Sequence, residues 1–86
     1  MKKYYLGKIG ERNGDMEYSD KFLFTTEGDP HRYAKKVAMH WRGCTKADWD
    51  KDDGGYWSDY TLVFVEECRE IPQADFQVLK NYIAIL

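Results

Sequence analysis

Between Asp48 and Tyr60 the chain reads DWDKDDGGYWSDY, which sets five Asp beside Trp49, Tyr56, Trp57 and Tyr60. Carboxylates at Asp48, Asp50 and Asp52 alternate as oxygen ligands do in the first half of a twelve-residue calcium loop, and Asp59 falls at the twelfth position. Calcium is nevertheless the minor reading. The sixth position holds Asp53 where a sharp turn calls for Gly, the twelfth lacks the longer bidentate Glu, and Tyr60 to Val65 reads as a strand where a helix should follow.

The same stretch reads better as a contact surface. Trp and Tyr supply large area with few rotatable bonds, and Asp steers or salt-links a basic partner. Trp49, Asp50, Asp52, Tyr56 and Trp57 are therefore the expected contacts of a non-enzymatic protein-binding module acting through loop 48–60. The opposing reading folds Trp49 and Trp57 back over the core and leaves only carboxylates in solvent. An acidic loop that imitates nucleic acid inside a basic groove is a third reading, weakened by a net charge of only −2.

A second candidate has the opposite sign. Arg32, Lys35, Lys36 and Arg42 fall within a helical segment, with His31 and Lys46 nearby, and can form a ridge toward phosphate. Nucleic-acid binding through this helix is the alternative function. The chain contains no helix-turn-helix pair, zinc-finger spacing or RNA-recognition aromatic motif, so base-specific reading is not indicated.

Other reactive residues lack partners in sequence. His40 and Cys44 are four apart, but Gly43 should end the helix between them, and a structural zinc site needs four ligands. Cys44 and Cys68 form no C-x-x-C pair, and a nucleophilic thiol requires an activating base that spacing does not supply. With no nucleophile elbow, phosphate loop or H-E-x-x-H helix, no enzymatic activity, metal or cofactor is expected.

The elements that position these groups follow from periodicity and turn chemistry. Asn13-Gly14 between two aromatic-rich runs predicts a type I′ hairpin. With those two residues as the loop, Ile9 faces Tyr18, Tyr5 faces Phe22 and Lys3 faces Phe24. Tyr5, Ile9, Met16, Tyr18, Phe22 and Phe24 then share the core face. Asp29 and Pro30 suit the cap and first position of a helix from Pro30 to Arg42, with Tyr33, Ala34, Val37, Ala38 and Trp41 along its apolar stripe. Tyr60 to Val65 reads as a third strand, and Gln73 to Ile85 as a C-terminal helix, with Phe76, Leu79, Tyr82, Ile83 and Leu86 at helical spacing.

The expected fold is α+β, one small domain of 86 residues in β-β-α-β-α order. Its three-stranded, mainly antiparallel sheet should pack against helices in the spatial order second, first, third. No run approaches the ~20 apolar residues of a membrane span, no signal-peptide pattern opens the chain, and two unpaired cysteines suit a reducing cytoplasm. The partner is expected to be protein ahead of nucleic acid, with no membrane contact, and exposed strand edges offer self-association.

Overall fold

A computed structural model describes residues 2–86. Two long strands, β1 (Lys3–Asn13) and β2 (Met16–Thr26), form the expected hairpin, followed by α1 (Pro30–Trp41). A short 3₁₀ turn (Lys46–Asp48) leads into β3 (Trp49–Asp50) and β4 (Gly55–Ser58), then β5 (Thr61–Ile71) and α2 (Gln73–Leu79). The sheet has five strands in the order β2-β1-β5-β4-β3, all antiparallel.

This corrects the expected three strands and β-β-α-β-α order to β-β-α-β-β-β-α. The last long strand does lie beside β1 on the side away from β2, but two further strands extend the sheet beyond it. They arise inside the stretch read as a loop. Asp50 and Gly54 close a turn there, with the Gly54 N–H donating to the Asp50 carbonyl at 2.8 Å and Gly54 at φ +69°. Trp49 is thereby set opposite Tyr56, and Asp50 opposite Gly55. Strands of two and four residues are too short to display an alternation, so the sequence pattern had no period to reveal.

The β1–β2 register also differs. Gly14 and Asp15 are the loop residues, so Asn13 faces Met16, Tyr5 faces Phe24, and Ile9 faces Asp20. Gly14 at φ +61° occupies the first turn position, where a type II′ turn requires a left-handed residue. Moving the loop by one residue moves each partner by two, and an even shift keeps every side chain on its face. Tyr5, Ile9, Phe22 and Phe24 are therefore buried together as expected, whereas Met16 and Tyr18 share the face but lie beyond its cover and are exposed.

That face packs beneath α1. Asp29 caps the helix by accepting the His31 N–H at 3.0 Å. Ala34 and Ala38 have no exposed surface, which lets the helix approach Ile9, Phe22 and Val63 closely. Tyr5, Phe24 and Tyr33 stack in sequence, with ring centroids 5.1 and 4.6 Å apart. Gly7 lies under Phe22, and a Cβ there would stand 2.3 Å from the Phe22 ring. On the opposite face, Gly10 is covered in the same manner by Phe64 from β5.

On the other face, α2 covers one end. Phe76 and Leu79 of α2, with Ile83, pack on Tyr4, Leu6, Leu23 and Ile71. The predicted helix to Ile85 stops at Leu79; residues 84–86 turn back instead and pair in parallel with the outer edge of β2 at Leu23. A β-bulge interrupts β1 and β5, where Lys8 faces Glu67 but Ile9 faces Val65. Glu66 is the extra residue, and its carboxylate meets Lys8 at 3.2 Å and accepts from the Ser19 hydroxyl at 2.9 Å.

Among the described residues, no helix is long and apolar enough to cross a membrane.

Candidate functional site

The acidic-aromatic stretch uses several of its carboxylates on itself. Asp48 accepts the Thr45 N–H at 2.7 Å, which closes the 3₁₀ turn. Asp50 accepts the N–H groups of Asp52 and Asp53 at 2.9 and 3.2 Å, the Asx geometry that starts the β3–β4 turn. Asp53 accepts the Trp57 indole N–H at 3.1 Å. These oxygens face local amides and an indole from separate positions along the turn. Asp52 and Asp59 remain exposed, and Asp59 adopts φ +54° in the β4–β5 turn.

The aromatic residues divide between the faces of the sheet. Tyr56 is only 4% exposed and belongs to the core beneath α1; burial, and secondarily Cys44, pushes its phenol pKa up. Trp49 is opposite Tyr56 and meets it edge-on with ring centroids 5.0 Å apart, yet keeps 36% of its surface in solvent. Trp57 points to the opposite side of β4, where it is 39% exposed. The five residues expected at one contact therefore do not form a single patch. Tyr60, not among them, is 84% exposed.

Trp49 and Tyr56 instead meet the basic helix. Arg32, Lys35, Lys36 and Met39 of α1 line a cleft of about 410 Å³ with Lys46, Trp49 and Tyr56. The Lys35 ammonium lies 3.7 Å from the Trp49 ring centroid, a close cation–π contact. A smaller adjoining cavity brings in His31, Phe64 and Val65 beside the same Lys35, Trp49 and Tyr56. Among the described residues, Arg32, Lys35, Lys36 and Lys46 have no carboxylate partner.

Arg42, the fourth basic residue singled out from the helix, is held elsewhere. Its guanidinium donates to Glu11 at 2.6 Å, and Glu11 is itself buried in β1. Lys46 takes part in the cleft because the 3₁₀ turn carries it toward α1. Its neighbourhood to Lys35 and Lys36 was suggested by charge alone; that the two loop rings complete the same cleft had no signal along the chain.

A larger groove of about 480 Å³ runs between α1 and the chain end, lined by Tyr33, Lys36, Val37, His40, Trp41 and Leu86. The Tyr33 hydroxyl donates to the Leu86 carbonyl at 2.7 Å, so this groove secures the returning segment. The cysteines lie apart from both. Burial raises the Cys44 thiol pKa, with Asp48 adding to it, and burial followed by Asp29 raises that of Cys68. Raised values leave less thiolate at neutral pH, which is unfavourable for nucleophilic or redox work.

Compared with protein-family models, curated proteins and solved structures, the chain matches none.

Proposed function

We propose that the protein is a binding module, not an enzyme, and that it engages a single nucleic-acid strand in the cleft between α1 and the β3–β4 hairpin. The observation that carries this reading is the convergence of Arg32, Lys35, Lys36 and Lys46 around Trp49 without internal counter-ions among the described residues. Cations follow a phosphate backbone, and an adjacent exposed ring stacks a base without demanding a particular sequence. The overall charge of −2 makes the attraction local and salt-sensitive.

Binding of a fluorescently labelled oligonucleotide, followed by anisotropy across a salt series, tests this reading. Affinity should fall as salt rises, with a logarithmic slope of about −0.7 for each phosphate contact made to a single strand. Lys36→Ala and Lys46→Ala should each weaken binding and flatten that slope, and Trp49→Ala should weaken it without changing the slope. Absence of binding at low salt, or equal binding to polyglutamate, would remove nucleic acid as the ligand.

A second reading is favoured by a separate observation. Trp57 and Tyr60 are exposed, as are Asp52 and Asp59 of the same stretch, a combination suited to a protein partner with basic side chains. Trp57→Ala should then release a captured partner while the thermal unfolding transition persists. Retention of the partner by that variant would dismiss Trp57 as its anchor.

A further inference from the structure

Two cavities of unlike character meet at the same three side chains. The cleft of about 410 Å³ and the smaller cavity of about 220 Å³ share Lys35, Trp49 and Tyr56. Arg32, Lys36 and Lys46, with Met39, make the rest of the larger one cationic. Ala38, Phe64 and Val65 make the smaller one chiefly apolar, with His31 and Gly54 completing it. A ligand that fills both must join an anionic group to a flat, largely apolar one.

The wall of the smaller cavity also carries main-chain groups without partners. Ser58 and Thr61 flank the two-residue turn Asp59-Tyr60 and so form a hydrogen-bonded pair. Alternate residues of β5 from Thr61, namely Val63 and then Val65, therefore direct their N–H and C=O toward the β4 side. The β4–β5 ladder ends at Tyr56 and Val63. Gly54, next in line beside Val65, gives its N–H to the Asp50 carbonyl at 2.8 Å instead. Among the described residues, no main-chain hydrogen bond reaches Val65 from this side. A donor and an acceptor left side by side in a cavity wall call for water or a polar ligand edge.

Resting on the single-strand reading of the cleft, we infer that the smaller cavity is a base socket. One nucleotide of the strand sets its phosphate among Arg32, Lys36 and Lys46 and turns its base inward, against Trp49 and Tyr56. The base edge then meets the Val65 N–H and C=O.

The chemistry of the wall selects a nucleobase over other flat groups. Each of the common bases presents a donor beside an acceptor on its pairing edge, so one residue's N–H and C=O can receive any of them. The socket thus distinguishes nucleic acid from other polyanions without fixing a sequence. A phosphorylated tyrosine also joins an anion to a ring, but its benzene edge would leave both Val65 groups unpaired.

Amide NMR titration of the full chain with adenosine 5′-monophosphate, ribose 5-phosphate and phenyl phosphate tests the assignment, alongside oligothymidylate binding followed by anisotropy. Adenosine 5′-monophosphate should shift the Val65 and Gly54 amides together with those of Lys36 and Lys46. Ribose 5-phosphate should shift only the two lysines and bind about tenfold more weakly, since it lacks the base. Val65→Phe fills the cavity and should lower oligothymidylate affinity about tenfold, while leaving an abasic strand of equal length unaffected. Thermal unfolding run in parallel confirms the fold of that variant, and the wild-type titrations stand without it.

Oligothymidylate that binds while adenosine 5′-monophosphate leaves the Val65 amide unmoved would overturn the socket and spare the strand reading. Phenyl phosphate matching the nucleotide in affinity and in the Val65 shift would overturn it in favour of a phosphorylated aromatic side chain. Oligothymidylate that fails to bind at low salt would remove the strand reading itself, and the socket with it.

Discussion

Lys35 holds its ammonium 3.7 Å from the centroid of the Trp49 ring, linking the middle of α1 to the two-residue strand β3. Lys35→Ala should lower stability by about 0.5–1 kcal/mol in urea denaturation. Lys35→Arg should retain most of that stability, because a guanidinium also covers an aromatic face. Lys36→Ala removes the same charge from an exposed position that makes no cation–π contact among the described residues, and should fall within about 0.5 kcal/mol of the wild type.

Gly7→Ala should be far more disruptive than its size suggests. The added Cβ would fall 2.3 Å from the Phe22 ring, which has no exposed surface and stacks on Phe24. A loss of about 1–3 kcal/mol is expected from this overpacking. In Gly7→Ala with Phe22→Leu, the combined loss measured by denaturation should be smaller than the sum of the separate losses, since the smaller side chain vacates the clash.

Arg42→Ala should destabilise the fold by about 1–3 kcal/mol, because it leaves the buried Glu11 carboxylate without its donor. Adding Glu11→Gln should return part of the loss. The same substitution should leave ligand affinity at the cleft nearly unchanged once folding is accounted for, which separates Arg42 from Arg32 and Lys36.

Glu66 should contribute to acid sensitivity. The Ser19 hydroxyl and then the Lys8 ammonium hold its carboxyl below the ordinary value of 4.5. Its folded pKa is therefore below its unfolded one, so the associated stability is present above about pH 4.5 and is lost as pH falls through the folded value. Carboxyl titration by NMR should move upward toward the ordinary value in Ser19→Ala, and Glu66→Gln should flatten this part of the stability profile.

Both thiols should react slowly in the native protein at neutral pH. Burial raises each above the free-cysteine value, so iodoacetamide labelling followed by mass spectrometry should lag well behind a free cysteine until denaturant is added. Rapid native labelling at Cys44 would contradict the packing beneath α1.

The elements most legible in the chain were those with long periods or strong terminal chemistry. Eleven-residue strands joined by a glycine turn and the Asp29-Pro30 helix start both announce themselves locally. The turn type was less determinate, since Asn13-Gly14-Asp15 accommodates glycine in either central position, and the resulting two-residue shift leaves the core face unaltered. Trp49 and Tyr56 were visible as rings but not as cross-strand partners, because the turn joining them depends on Asp50 accepting two amides. The apolar spacing of Phe76, Leu79, Tyr82 and Ile83 suggested one continuous helix. The competing partner for the final residues was the Leu23 edge, distant in sequence and therefore absent from any local pattern.

For the cleft, charge located the basic helix, but tertiary pairing decided which cations were available. Arg42 and Lys36 look equivalent in sequence; only the approach of β1 to the end of α1 gives Arg42 to Glu11. Trp49 joins the basic group because β4 aligns with β5, which α1 already covers.

The position of β1 between β2 and β5 has a consequence for synthesis on the ribosome. Its hairpin partner emerges almost at once, but the strand that shelters its other edge begins at Thr61. Until that strand emerges, the nascent chain therefore holds a half-paired hairpin containing Tyr5, Ile9, Phe22 and Phe24, and stalled or truncated products ending before residue 61 should be aggregation-prone and rapidly degraded.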